Sequence, residues 1–471
     1  YRNYIKNIME STGISRKKAE ETASDIYKFQ TDLAAATLPL SDQNDPEKTY
    51  NPLSLEELRA LYSNIDIEAY LKAAGADGFH SWVVNDPGQA KKINSYLTED
   101  YLPLLKEYSV FCLVKDFSPF LTPEIRDSTI AWNNTQKGVQ GKKTDKKLAA
   151  ELVQNTFGFE FGRLYTEKYF SEEDKKAVET LVHQILSAYK ERINGLEWMG
   201  ETTKEKAIRK LDHMTLKIGY PDNWPDYYEN AVILPEGRGS LIDNMVTVYR
   251  SLRSFEKEEI KKPVDRGQWG MTPQTVNAYY NPLNNEIVFP AAILQPPFYD
   301  PEAGRAANLG GIGMVIAHEI SHAFDSSGSC YDENGNYNMW WTEEDLKKFQ
   351  ELTLRVTEYY NDQEAVKGRY VNGQQTLNEN IADLGALACV TSIAGDDTEA
   401  LDSLFRQYAR IWASKYTEES MIHRLNTDVH SPAKVRVNAV LSSTEAFYKV
   451  YPDLKEGDGM YVAPEKRVKI W

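Results

Sequence analysis

The sequence predicts a mainly α-helical chain with a small β element beside its functional centre. Three observations carry that expectation. Apolar residues recur at helical spacing behind serine and threonine caps over most of the chain. Strand character is confined to 276–280 and 286–289, where β-branched and aromatic residues are bracketed by Asn281-Pro282 and Pro290. No internal repeat or low-complexity tract is present, and no run reaches the ~18 apolar residues that a spanning helix needs.

Taken in order, the elements follow from local chemistry. Up to residue 215 the pattern is helical, with loops expected at 49–54, 75–78 and 136–144. Ser171-x-x-Asp174 resembles a capping box, and Val178, Leu181, Val182, Ile185, Leu186 and Tyr189 then form one apolar face that Gly195 ends. Thr202-x-x-Glu205 opens the next helix, expected to close near Gly219-Tyr220-Pro221. The two strand segments should pair as a hairpin. A chain of 471 residues is long enough for two lobes. They are expected as a helical lobe over 1–215 and a second lobe over 216–471, interleaved with each other, the boundary lying between 200 and 265.

The second lobe holds the chemistry. His318-Glu319-x-x-His322 interrupts an apolar run, with Met314-Val315-Ile316-Ala317 before it and Ala323-Phe324 after it. Residues four apart on a helix share a face, with Cβ atoms ~5–6 Å apart. Two imidazoles so placed can both reach one metal ion at ~2.0–2.1 Å. Glu319, next to the first, can reach a water on that metal without ligating, the arrangement used in zinc-dependent peptide hydrolysis. The chain has only seven histidines, so a chance match is expected on the order of 0.01 times. Two core histidines on an ordinary helix would leave ionisable groups in apolar surroundings, which is costly.

A catalytic zinc takes a third protein ligand. Glu379 and Asp383 are again four apart, on a helix expected over 377 to about 393 whose flanks (Ile381, Ala382, Leu384) are apolar. Glu379 is read as the third ligand. Asp383 is read as the acceptor for Nδ1–H of a ligating histidine, His318 being the expected partner.

These residues carry a resemblance to the neprilysin-type zinc metallopeptidases, nearest to the bacterial endopeptidase O branch. It extends through Val276-Asn277-Ala278-Tyr279-Tyr280, through 287–298 (Ile-Val-Phe-Pro-Ala-Ala-Ile-Leu-Gln-Pro-Pro-Phe), through Thr427-Asp428-Val429-His430-Ser431-Pro432 with Arg436, and to Lys469-Ile470-Trp471. Gly162-Arg163-Leu164-Tyr165 and Gly219-Tyr220-Pro221-Asp222 also resemble family landmarks. The resemblance implies a two-lobed neprilysin-like fold, in which a helical lobe roofs a thermolysin-like catalytic lobe, and one Zn2+ per chain. It implies that His430 hydrogen-bonds the developing oxyanion and that Asp428 orients it. Arg436 would bind the carbonyl after the cut, while Asn277 and the Ala278 backbone hold the substrate as an added strand. Ile293, Phe298, Met314, Val315 and Trp412 would line an apolar pocket for the residue after the scissile bond. The implied activity is cleavage of oligopeptides on the N-terminal side of bulky hydrophobic residues.

The sequence departs from the family pattern in places. It begins at Tyr1, in what resembles the middle of the family's first lobe, so a preceding segment is expected either as a separate piece or as the missing part of an impaired fragment. Ala386 replaces a frequent glycine, Lys469 a frequent arginine, and Ser326-Ser327 stand where relatives carry acidic or amide residues.

Composition narrows the alternatives. A net charge of −16 argues against nucleic acid and anionic membranes as partners. Three cysteines, Cys112, Cys330 and Cys389, cannot build a disulfide framework. Animal members of the family are disulfide-rich, so a bacterial protein is expected, at the cell envelope or outside it rather than in the cytoplasm. Gly311-x-Gly313-x-x-Ile316 lacks the third glycine of a dinucleotide loop, and no serine-hydrolase elbow or phosphate-binding P-loop is present. The nearest metal-dependent rival, a zinc aminopeptidase, would need a Gly-x-Met-Glu-Asn segment that is absent. The alternative of another class is a peptide-binding protein on the same fold; intact Glu319, His430 and Arg436 speak against it.

Overall fold

The computed structural model describes residues 1–471, and the chain is mainly helical with three small sheets. It divides into two compact units, Tyr1–Lys142 with Pro225–Asp265, and Lys143–Trp224 with Arg266–Trp471. The expected division near residue 215 is therefore corrected. Residues 143–224 belong with the metal-ligand segments because the helix Glu172–Asn194 lays Val178, Val182, Ile185 and Tyr189 into the same core as Ile316, Ile320, Ile381 and Leu384.

In the first unit, helix Arg2–Glu10 buries Tyr4, Ile5, Ile8 and Met9, one face of an otherwise charged helix, against Ala19, Ala23 and Ile26 of helix Arg16–Ala34 and Phe111 of helix Leu102–Phe117. Helix Leu241–Glu259 opens on a capping box of Ser240 and Asp243 and returns to this unit, where Lys257 donates to the carbonyl of Ala73 at 3.2 Å.

The second unit is built around buried helices. The expected capping box at Ser171 is present, and helix Glu172–Asn194 ends at Gly195. Each aliphatic side chain it buries contributes roughly 1.5–3 kcal/mol. Helix Leu377–Ala394 is buried on nearly all sides, as its apolar composition requires. It packs along helix Met314–Ser321, and the two carry the ligand candidates. Helix Thr398–Ile411 crosses the wide turn Leu309–Gly313 so closely that a Cβ on Gly310 would fall 2.1 Å from the Leu404 carbonyl oxygen.

The expected β element is present, with two corrections. Strand Tyr279–Asn281 pairs antiparallel with Glu286–Pro290, so the hairpin begins at Tyr279 rather than at 276. The helix opened near Thr202 runs Glu201–Asp212 and does not reach Gly219. Instead Thr215–Gly219 forms a strand, parallel to Glu286–Pro290, in the order 215–219, 286–290, 279–281. Its residue types alternate, apolar Leu216 and Ile218 between Thr215, Lys217 and Gly219, a period of two that a helical reading overlooks. Lys217 and Glu286, both buried, form an ion pair at 2.7 Å between these strands. Strand Tyr279–Asn281 lies at the sheet edge and packs on helix Met314–Ser321.

Candidate active site

His318 and His322 sit one turn apart, His318 inside helix Met314–Ser321 and His322 where it tightens into the turn His322–Phe324. Tyr189 anchors the helix from behind, donating its hydroxyl to the carbonyl of Ala317 at 2.7 Å. Glu379 enters from the first turn of helix Leu377–Ala394. The three inward atoms form a near-equilateral triangle. His318 Nε2 lies 3.1 Å from His322 Nε2 and 3.1 Å from Glu379 Oε2, and His322 Nε2 lies 3.6 Å from the same oxygen.

A tetrahedral ion with ligands at ~2.0–2.1 Å holds them about 3.3 Å apart, so the triangle matches a zinc site. Both outer ring nitrogens face carboxylates: His318 Nδ1 is 2.8 Å from Asp383 Oδ1, and His322 Nδ1 is 2.7 Å from Asp325 Oδ2. With hydrogens on Nδ1, each ring turns an Nε2 lone pair inward, toward a buried Glu379 oxygen that has no hydrogen-bond partner. Three electron-rich atoms so close together suit a cation. Burial opposes charge on both rings, yet Asp383 and Glu379 raise the proton affinity of His318, and Glu379 and Asp325 hold His322 well above the ordinary imidazole range. Burial also opposes charge on Glu379, but the two histidines, with His430, hold it well below the ordinary carboxylate range.

The expected pairing of Asp383 with His318 is present. Asp383 also accepts two 2.7 Å bonds from Arg436, through Nε and Nη2. Burial pushes the Asp383 carboxyl up, but the Arg436 charge and His318 outweigh it and bring it to about 2. The Arg436 guanidinium lies 4.1 Å from the centre of the Trp412 ring, a cation–π contact. Arg436 comes from helix Ala433–Ser442, which the dipeptide Ser431-Pro432 starts.

His430 reaches the triangle from the loop before that helix. Its Nε2 is 3.2 Å from Glu379 Oε2, and its Nδ1 is 2.8 Å from Asp428 Oδ1, which also accepts the His430 backbone N–H at 2.9 Å. Ser431 donates to Asn380 at 2.7 Å and Gln375 donates to the Asp428 carbonyl at 2.7 Å, tying this loop to the Glu379 helix. Glu319 is only 7% exposed, and its carboxylate makes no hydrogen bond or ion pair within the fold.

The remaining candidates divide. Ile293 and Met314 lie within the core, whereas Phe298, Val315 and Trp412 are half-buried at its margin. Ala278 is buried and Asn277 exposed, immediately before the edge strand. Sequence reasoning missed Asp325, the carboxylate that orients His322. Its spacing of three from His322 was the available signal, but at a helix end it reads as an ordinary turn residue. Asp325 Oδ1 in fact accepts the N–H groups of Ser327 and Gly328, at 2.8 and 2.6 Å, while Oδ2 serves the histidine.

Comparison with known proteins gives the family and the fold. Sequence profiles of peptidase family M13 match residues 1–221 and 277–468. The neutral endopeptidase of Lactobacillus helveticus is 34% identical over 465 residues, 99% of this chain and 71% of that protein. Among solved structures, the zinc metalloprotease ZMP1 of Mycobacterium tuberculosis in complex with an inhibitor superposes with a TM-score of 0.93 at 34% identity, covering 100% of this chain and 74% of that one. PepO from Lactobacillus rhamnosis HN001 superposes with a TM-score of 0.94 at 30% identity, with coverage of 100% and 74%.

Proposed function

The chain belongs to peptidase family M13, and from that premise we propose that it is a zinc-dependent endopeptidase of oligopeptides, cutting before bulky apolar residues. The observation that carries this reading is the triangle of His318 Nε2, His322 Nε2 and Glu379 Oε2, with edges of 3.1, 3.1 and 3.6 Å. Those three residues would hold the ion, which when bound polarises a carbonyl and acidifies water.

The protein's own groups do the rest. Glu319, buried and without a partner, takes the proton of the attacking water and passes it to the leaving nitrogen. His430, held through Nδ1 by Asp428, offers Nε2–H to the oxygen that gains charge in the transition state. A ring donating from both nitrogens is cationic, and Asp428 supplies the compensating charge. Asp383 occupies Nε and Nη2 of Arg436, so Nη1 is the donor for the substrate carbonyl beyond the cut. The free side of the strand Tyr279–Asn281, with Asn277 and Ala278 before it, would pair with the substrate backbone. The margin of Phe298, Val315 and Trp412 supports the preference for Leu, Ile or Phe after the scissile bond, each worth roughly 1.5–3 kcal/mol when buried.

Incubation with a mixed peptide library, followed by mass spectrometry, tests the reading. New N-termini should be dominated by bulky apolar residues, cleavage should stop with a chelator, and it should return with zinc. Stoichiometric zinc binding without any cut peptide would instead favour a peptide-binding protein on this fold.

A further inference from the structure

Lys210 stands near the end of helix Glu201–Asp212, where a charged residue is ordinarily solvated. Here it is 1% exposed. Its Nζ donates to three backbone carbonyls, those of Ala323 at 2.9 Å, Gly328 at 2.7 Å and Tyr331 at 2.6 Å. All three belong to the segment that follows His322. In the middle of that segment is Asp325, whose carboxylate holds His322 Nδ1 with one oxygen and the Gly328 N–H with the other. The segment is wound tightly: a Cβ on Gly328 would fall 1.8 Å from the carbonyl oxygen of His322.

The chemistry of this contact is specific to an ammonium. Three carbonyls need three donors, and of the two forms of a lysine only the charged one has them. Burial pushes the Lys210 ammonium down to about 7, while the carboxylates of Asp325, Asp332 and Glu333 act to keep it charged. The rings of Tyr280 and Trp340 lie 5.9 and 6.0 Å from Nζ. The carbonyl of Lys210 in turn accepts from Asn285 at 2.9 Å, in the turn of the β hairpin. An apolar side chain would fill the same space without the cost of desolvating a charge, so core packing alone does not account for a lysine.

We propose that Lys210 is a positioning residue for His322: by gathering the Ala323, Gly328 and Tyr331 carbonyls it fixes Asp325, and through Asp325 the direction and tautomer of a metal-ligating ring. It touches neither metal nor substrate. The inference rests on the zinc-peptidase reading above and extends it to a residue outside the ligand set and its hydrogen-bonding partners.

The test compares Lys210→Met with Lys204→Met in the full chain. Lys204 is a second buried lysine of the same helix, and it donates to the carbonyl of Asn194 instead. Both variants should lower the melting temperature of the metal-free protein. Only Lys210→Met should weaken zinc, by about 10- to 100-fold in competition with a chromophoric chelator, the usual effect of losing a partner of a metal ligand. It should also change the visible spectrum of the cobalt-substituted protein, which reports ligand geometry. In a double-mutant cycle its zinc loss should be non-additive with that of Asp325→Asn. Equal zinc affinity in the Lys210 and Lys204 variants would overturn this inference and leave the peptidase reading standing. No zinc on the unaltered chain would overturn both. Should Lys210→Met fail to fold, Lys210→Gln, which keeps two donors, is compared with Lys204→Gln; zinc affinity equal to the control would again overturn the inference.

Discussion

Glu379 and Glu319 are both buried carboxylates beside the same two histidines, and what separates their roles is partnership. Glu379 Oε2 faces both Nε2 atoms, whereas the buried Glu319 carboxylate has no hydrogen-bonding or ionic partner in the fold. Glu379→Ala should therefore abolish tight zinc binding, measured by metal content after dialysis, because two imidazoles leave the ion under-coordinated. Glu319→Gln should keep zinc and lose at least ~100-fold in turnover, since an amide cannot accept a proton; near-normal turnover would contradict its assignment. His430→Ala should lower kcat with little effect on KM. Arg436→Ala should raise KM and also destabilise the protein by about 3–5 kcal/mol in urea denaturation, because it strands the buried Asp383 carboxylate. At this scale much was legible. The two histidines, Glu319 and the Glu379/Asp383 pair follow from spacing within single helices. The Arg436–Asp383 fork, Asp325 and Lys210 were not, since their partners come from distant residues, local turn geometry or backbone carbonyls, none of which leaves a periodic trace.

The elements matter through how closely they approach. The wide turn Leu309–Gly313 lets helix Thr398–Ile411 cross directly over the start of the metal helix, and Gly310 is the point of contact. Gly310→Ala should cost about 1–3 kcal/mol, the usual penalty for overpacking, read as a lower urea midpoint of the metal-free protein. An unchanged midpoint would mean that the helices do not meet as described. Helix positions were well anticipated wherever caps and apolar periodicity agreed, as for Glu172–Asn194. Thr215–Gly219 escaped because a five-residue strand directly after a helix offers too few periods to separate from the helix's last turn, and its partner, Glu286–Pro290, is distant in sequence.

At the scale of the whole molecule, the chain leaves its first unit at Lys142, re-enters it over Pro225–Asp265 and completes the second to Trp471. Which segments interleave was not legible, since 1–142 and 143–224 share the same helical periodicity, and membership depends on which core each apolar face joins. All three ligand candidates, His318, His322 and Glu379, lie in the second unit. Zinc bound at a thousand times its Kd should stabilise that unit by about 4 kcal/mol. Chelation should accordingly speed amide exchange in Met314–Ser321 and Leu377–Ala394 and leave Arg2–Glu10 and Arg16–Ala34 unchanged.

Every role assigned above depends on one ion held by His318, His322 and Glu379. Anomalous diffraction from crystals grown with zinc, recorded on both sides of the zinc absorption edge, tests it most directly. One strong peak per chain is expected, at ~2.0–2.2 Å from His318 Nε2, His322 Nε2 and a Glu379 oxygen. A peak elsewhere, or no peak at this triangle in zinc-saturated crystals, would contradict it.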